Sequence, residues 1–267
     1  MYKSFELGIK YLRYFFTASN GKGHGTHSPF VYAFIDDVLR DNSAGKSMFK
    51  KIEHLRQQYK NDRQTFIEVK DLGAGSFTRA GNTRAVAEIA KGAAKPPKFA
   101  RLLYRLVRFY QIDSVLELGT SLGLTTRYLS LSHPTHGVQT IEGAPGIAEF
   151  TEAALQYEGV NNVKLLIGDF GEQLPVALGK MQGRKLVFFD GNHQYAPTKQ
   201  YFEMVLSTCN EEDVLVFDDI HWSAGMEKAW KEIKNNERVT CSIDLFFIGI
   251  VFLRKEFKEK QDFTIRF

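Results

Sequence analysis

Five short apolar runs in the second half of the chain each carry an acid within two residues of their C-terminal end, and each leads toward a segment of helical periodicity. The runs are Ser114–Leu118, Val138–Glu142, Val163–Ile167, Leu186–Asp190 and Val214–Asp218. The helical segments are Leu122–Ser132, Pro145–Glu158, a weaker one from Phe170 to Leu178, Pro197–Cys209 and Ala224–Asn235. Strand and helix alternating in this way predict an α/β chain, a parallel sheet with helices on both faces. Three further strand-like runs, Thr240–Phe246, Gly249–Arg254 and Asp262–Phe267, close the chain with no long helix between them. They predict a terminal hairpin with an antiparallel strand on one edge.

The acids matter because ligands of parallel sheets bind outside the carboxyl ends of the strands. Those ends carry Glu117, Glu142, Asp169, Asp190 and the pair Asp218-Asp219. Surface acids scattered at random would not fall at the same end of every strand. After the first strand comes Gly119-Thr120-Ser121-Leu122-Gly123, where the glycines let backbone approach a ligand and let the helix start close to the strand. Glu142-Gly143 ends the second strand, where a carboxylate can accept hydrogen bonds from both ribose hydroxyls. Asp169 falls where an adenine amino group would lie, next to Phe170, which can pack on the ring. The set describes a pocket for an adenosine-containing ligand.

A redox dinucleotide and a methyl donor both contain adenosine. The dinucleotide fingerprint is Gly-x-Gly-x-x-Gly, open enough to admit a pyrophosphate at the helix N-terminus. Here Ser121 stands where a glycine would be, so the cradle is less open. Glu117, before the turn, suits an amino-bearing or cationic ligand better than a pyrophosphate. That combination points to a methionine moiety with a sulfonium.

With Glu142, Asp169 and Asp190, the run Glu117-Leu-Gly-Thr-Ser-Leu-Gly123 resembles the class I S-adenosylmethionine-dependent methyltransferases over roughly residues 99–267. The resemblance implies a Rossmann-like, doubly wound, seven-stranded sheet with an antiparallel C-terminal strand. It also implies that Glu117, Gly119, Thr120, Ser121, Gly123, Glu142, Gly143, Asp169, Phe170 and Asp190 bind the cofactor. Within the class, Leu186-Val-Phe-Phe-Asp190-Gly-Asn-His193-Gln-Tyr195 and Val214-Leu-Val-Phe-Asp218-Asp219-Ile-His221-Trp222 are most similar to catechol-type and sugar O-methyltransferases. In those enzymes matching acids hold a magnesium ion against the hydroxyls of a small substrate. By that resemblance Asp190, Asp218 and Asp219 would hold Mg²⁺, an oxygen donor set suited to a hard cation. His193 would be the general base, with Asp190 also in the catalytic set. The same acids have other uses: Asp190 for the methionine amino group with no metal, Asp218-Asp219 as a cap for the next helix, His193 as a packed or capping side chain.

The first 98 residues lie outside this pattern and read as an N-terminal helical extension, by resemblance a lid or a homodimer contact. Phe5, Ile9, Leu12 and Phe16 share helical spacing, and Phe30–Leu39 reads as a second helix behind Ser28-Pro29. His24 and His27 sit among glycines, a poor setting for a metal site. Gly45-Lys46-Ser47 lacks the upstream glycine of a phosphate loop, since that position is Arg40. Asp71-Leu-Gly-Ala-Gly-Ser76 imitates the 117–123 turn. It is followed by a basic helical stretch, Thr78–Gly92, rather than a second strand ending in an acid, so it reads as a loop.

The net charge of +4 is mild and gives no argument for nucleic acid. The local excess between Lys91 and Arg108 reads as a solvated helix face, or as a surface for an acidic partner. Cys209 and Cys241 match no metal or redox spacing, and no apolar run is long enough to span a bilayer. The expected setting is cytoplasmic. Two other functions fit the same residues: a non-catalytic partner protein retaining the cofactor fold, and a nicotinamide-dependent oxidoreductase, which Ser121 disfavours.

Overall fold

A computed structural model describes residues 1–19, 28–45, 47–69 and 83–267. The loop with His24 and His27 and the glycine loop 71–76 lie outside the described residues. The chain divides into two compact units, residues 42–183 and residues 1–41 with 184–267. The first 98 residues are therefore shared between the units.

Among the described residues, eight strands form the main sheet, one more than the resemblance implied and equal to the number of strand-like runs. In the unit 42–183 they are β3 (Ser114–Leu118), β4 (Val138–Glu142) and β5 (Val163–Ile167), side by side and parallel. Every residue of β3 is buried, as expected of a strand covered on both faces. Helices α6 (Leu124–Leu131), α7 (Pro145–Tyr157) and α8 (Phe170–Leu178) follow the three strands in turn. Helix α5 (Pro97–Phe109) precedes them. It starts on Pro97, which loses nothing by lacking an N–H there, and it buries Leu102, Leu103, Leu106 and Val107. From its basic side, Arg101 lies over the Phe49 ring.

The same unit holds α3 (Lys50–Asn61), α4 (Val86–Ala93) and a two-stranded antiparallel ribbon, β1 (Phe66–Glu68) with β2 (Thr83–Ala85). Residues 83–85 were expected to be helical. Their strand exists only by pairing with 66–68, so no local periodicity announces it.

In the other unit, β6 (Lys185–Phe189) runs parallel to β7 (Val214–Asp218), with α9 (Tyr195–Leu206) after the first and α10 (Ala224–Asn235) after the second. Strand β9 (Ile248–Phe252) lies antiparallel to β7 and to β8 (Cys241–Asp244). The antiparallel strand is thus interior. The edge belongs to β10 (Gln261–Thr264), parallel to β8.

Helix α1 (Ser4–Thr17) packs on this unit, and α2 (Pro29–Ala33) continues into a π-helical turn, Phe34–Leu39. The helix α1 is where it was expected, but the face it buries is not the stripe of Phe5, Ile9, Leu12 and Phe16. Leu7, Tyr11, Tyr14 and Ala18 go inward against Phe246 and Phe247. Tyr14 Oη donates to the Ile265 carbonyl at 2.5 Å. Glu227 fixes the other end, accepting from Tyr2 Oη at 2.7 Å and Lys10 Nζ at 2.9 Å. No helix among the described residues is long and apolar enough to cross a membrane.

Candidate active site

Strand order brings the first three acids to adjacent strand ends. Glu117, the fourth residue of β3, pairs in register with Thr140 of β4. Its side chain is 0% exposed. Oε2 accepts from Thr126 Oγ1 at 2.5 Å and from Thr140 Oγ1 at 2.8 Å. Thr120 Oγ1 lies 2.7 Å from Thr140 Oγ1. A hydroxyl has one proton, so Thr140, donating to Glu117, must accept from Thr120. Glu117 Oε1 is buried without a hydrogen-bond partner. Burial pushes the carboxyl up to about 7, against the two threonine hydrogen bonds, with Glu142 pushing in the same direction as burial. A buried carboxylate oxygen with no partner of its own beneath a turn suits a hydrogen-bond donor such as an amino group.

The turn above it is held by backbone. Gly119 N–H donates to the Ile141 carbonyl at 2.9 Å with φ +103°. Ser121, at the position a dinucleotide site would give to glycine, adopts φ +47°. Its N–H donates to Glu142 Oε2 at 2.8 Å, and its carbonyl accepts from Thr151 Oγ1 at 2.7 Å. Glu142 Oε1 accepts from Ala144 N–H at 2.9 Å. Glu142 therefore ties the glycine turn to the end of its own strand.

Gly123 begins α6 at φ +66°. A Cβ there would come 2.7 Å from Thr151 Cγ2 and 2.8 Å from Arg127 Nη1. Buried Arg127 donates to the Leu122 and Gly123 carbonyls and forms a two-point ion pair with Glu158. Gly123→Ala meets both backbone strain and collision. It is expected to cost about 2–3 kcal/mol, read as a lowered midpoint in urea unfolding.

Gly168 N–H donates to the Glu142 carbonyl at 2.9 Å, which places the end of β5 beside that of β4. Asp169 is exposed and caps α8, Oδ1 accepting from Gly171 N–H at 2.7 Å. Phe170 follows, half-buried. The glycine turn, Glu117 and Glu142 thus form one bonded constellation with Asp169 on the neighbouring strand end. Thr126, Thr140 and Arg127 were missed. A threonine inside a buried strand, opposite an acid, was the available signal for Thr140.

The other unit carries the second cluster. Asp190 follows β6, and Asp218 is the last residue of β7 and 2% exposed. One ligand atom each from Asp190, His193 and Asp218 lie within 4.8 Å of one another. Asp219 is not in this group. Its backbone is left-handed at φ +52°, and its N–H donates to the Phe247 carbonyl at 2.7 Å. Asn192, in the loop between Asp190 and His193, also has a left-handed backbone at φ +51°. Strained residues beside both acids mark loops whose shape is imposed by more than local preference. Two carboxylates with an imidazole between strand ends are a donor set that fits a divalent cation.

His221 has a different environment. Nε2 lies 2.8 Å from Asp244 and Nδ1 3.1 Å from Glu227, while the ring stacks on Phe246. Desolvation works against its proton, but the two carboxylates prevail and hold its pKa above the usual histidine value.

Comparison with known proteins bears on the fold. A family described as "Methyltransferase domain" matches residues 116–220. No curated protein matches the chain by sequence. Among solved structures, the chain is similar to the O-methyltransferase TomG of Streptomyces achromogenes in complex with SAM. That match has a TM-score of 0.51 and 22% identity, covering 61% of this chain and 82% of that one. It is similar to a Bacillus cereus O-methyltransferase in complex with SAH, with a TM-score of 0.54 and 16% identity over 84% of this chain and 97% of the other. The SAH-bound methyltransferase PaMTH1 of Podospora anserina gives 0.53 and 13% over 79% and 97%. At these identities the likeness is one of fold. Residues 116–220 thus match a methyltransferase domain, and over 61–84% of its length the chain shares the fold of these solved methyltransferases.

Proposed function

We propose that this chain is an S-adenosylmethionine-dependent O-methyltransferase acting in the cytoplasm on a small hydroxylated acceptor. The observation that carries the reading is the open, buried Oε1 of Glu117 beneath the Gly119–Gly123 turn. Glu117 receives the methionine amino group, Gly119, Thr120 and Ser121 bring backbone to the chain of the cofactor, and Glu142-Gly143 receives the ribose. Asp169 and Phe170 meet the adenine. Methyl transfer to oxygen then requires little besides a held sulfonium and an acceptor oxygen in line with it.

The acceptor's hydroxyl must lose its proton. In this reading Asp190 and Asp218 hold a Mg²⁺ ion, and His193 takes the proton as general base. A bound divalent ion would lower the pKa of a hydroxyl it touches. The 4.8 Å grouping favours a second arrangement, with His193 as the third ligand and a softer divalent ion such as Mn²⁺. Asp219 is left outside both.

Calorimetric titration with S-adenosylhomocysteine tests the core of the proposal. One site per chain is expected, with affinity lowered at least about tenfold by Glu142→Ala, which removes two backbone anchors and the ribose acceptor together. A flat titration of the unaltered chain would sink it.

A further inference from the structure

The helix α1 has two apolar stripes, and the chain covers one. The inner stripe, Leu7, Tyr11, Tyr14 and Ala18, is packed against Phe246 and Phe247. The outer stripe remains open: Phe5 is 78% exposed, Ile9 53%, Leu12 56% and Phe16 77%. On a regular helix these four positions fall within an arc of about 60°. We propose that this outer stripe inserts into the surface of an anionic phospholipid bilayer, with α1 lying in the plane of the membrane.

The charges around the stripe select that occupant. Arg13 is exposed on one flank, about 70° from the centre of the arc. Phe15 closes the other flank, and the Arg266 guanidinium lies over its ring, 4.3 Å from the centre. An arginine thus stands on each side of the stripe, where an interfacial helix presents cations to lipid phosphates. Lys3 is exposed at the N-cap and adds a third cation. Glu6, the one acid of the helix, is tied to its start, with Oε2 accepting from Lys3 N–H at 2.8 Å. Lys10 turns inward and pairs with Glu227 at 2.9 Å. That leaves Glu6 against Arg13, Arg266 and Lys3. A bare apolar stripe would suit a protein groove equally well. Cations on both flanks, and a phenylalanine at each end of the stripe, suit the boundary between headgroups and acyl chains. The opposite side of α1 is already packed on the fold, so the helix need not be ordered when it meets lipid. With 14 residues α1 is too short to cross a bilayer, and it can lie along one surface.

Co-sedimentation of the full chain with vesicles tests the proposal. Vesicles of phosphatidylglycerol and phosphatidylcholine in equal parts should carry the protein down. Vesicles of phosphatidylcholine alone should bind it about 100-fold more weakly, at about fivefold for each of the three cations. Phe16→Glu should lower affinity for the anionic vesicles at least about tenfold, since a ring that enters the acyl region is lost. Arg13→Gln should lower it about fivefold on anionic vesicles and leave it unchanged on phosphatidylcholine. Both side chains are exposed, so the thermal midpoint of either variant without lipid should not fall. Lipids brominated on the acyl chain should quench the emission of Phe16→Trp far more than that of the parent, whose own tryptophans are Trp222 and Trp230. Any of three results overturns the proposal. One is no binding to the anionic vesicles. Another is binding that Phe16→Glu leaves unchanged, which means that charge alone holds the protein. The third is a lipid-free dimer in sedimentation velocity that Phe16→Glu dissociates, which gives the stripe to a second copy.

Discussion

Glu117→Gln is expected to make the ligand-free protein more stable at about pH 8 and to remove most of its affinity for S-adenosylhomocysteine. Both effects come from one buried carboxyl. In the unfolded chain it titrates near 4.5, and in the folded chain at about 7. The native state therefore binds this proton more tightly. Native stability falls as pH rises from about 4.5, and the loss is complete above about 7. At about 1.4 kcal/mol per pH unit of that interval, the charged form costs the fold about 3 kcal/mol at alkaline pH. Glutamine carries no charge and keeps an oxygen for Thr126 and Thr140. Its new N–H₂ has no acceptor, so the net gain should be about 2 kcal/mol. At about pH 5, where Glu117 is protonated anyway, the gain should vanish. Ligand binding runs the other way. An ammonium group seated on Oε1 needs the carboxylate, so wild-type affinity should drop about tenfold per pH unit below 7, with proton release on binding. The variant should bind about 30- to 100-fold more weakly at alkaline pH, with a flat pH profile. Scanning fluorimetry and calorimetry at both pH values measure the two arms. Equal destabilisation at both pH values with unchanged affinity would mean that Glu117 is a structural acid only.

Such a group can be found from sequence because position and chemistry coincide: an acid at the end of an apolar run, before glycine. From Ser114 onward most elements lie within a residue or two of where periodicity put them. Short buried strands bounded by acids and glycines leave little freedom in the boundaries. Contacts distant in sequence were not legible. Both stripes of α1 have the same spacing, and the choice between them is made by Phe246 and Phe247, at the other end of the chain. The strand Thr83–Ala85 arises only from its pairing with Phe66–Glu68. Thr126 and Thr140, which share one oxygen of Glu117, are ordinary residues until the β3–β4 register sets one of them beside the acid. Asp218 and Asp219 looked equivalent because composition carries no direction. Asp218 ends the strand and groups with Asp190 and His193, whereas Asp219 lies past the strand on a left-handed backbone and is not in that group.

That asymmetry yields the other large effect. Asp190→Asn and Asp218→Asn are each expected to abolish binding of Mn²⁺, followed by electron paramagnetic resonance of the free ion, and Asp219→Asn to leave it nearly unchanged. Two carboxylates whose oxygens lie within 4.8 Å of each other repel, and a divalent cation relieves that repulsion. Replacing either by a neutral amide removes most of the attraction. S-adenosylhomocysteine should bind the Asp218 and Asp219 variants as it binds the parent, because in this reading Glu117, Glu142 and the Gly119–Gly123 turn, tied together by their own hydrogen bonds, hold the cofactor. Turnover against a panel of catechols and sugars, followed by release of S-adenosylhomocysteine, should fall at least about 100-fold for the Asp190 and Asp218 variants, and chelation of the parent should match that loss. His193→Gln separates the two uses of the imidazole. Loss of Mn²⁺ along with turnover makes it a ligand. Retained Mn²⁺ binding, slow turnover and loss of the acidic limb of the pH–rate profile make it the base. Full activity in chelator with unchanged S-adenosylhomocysteine binding would remove the cation from the mechanism and return Asp190 and Asp218 to the role of neutral-substrate hydrogen-bond acceptors.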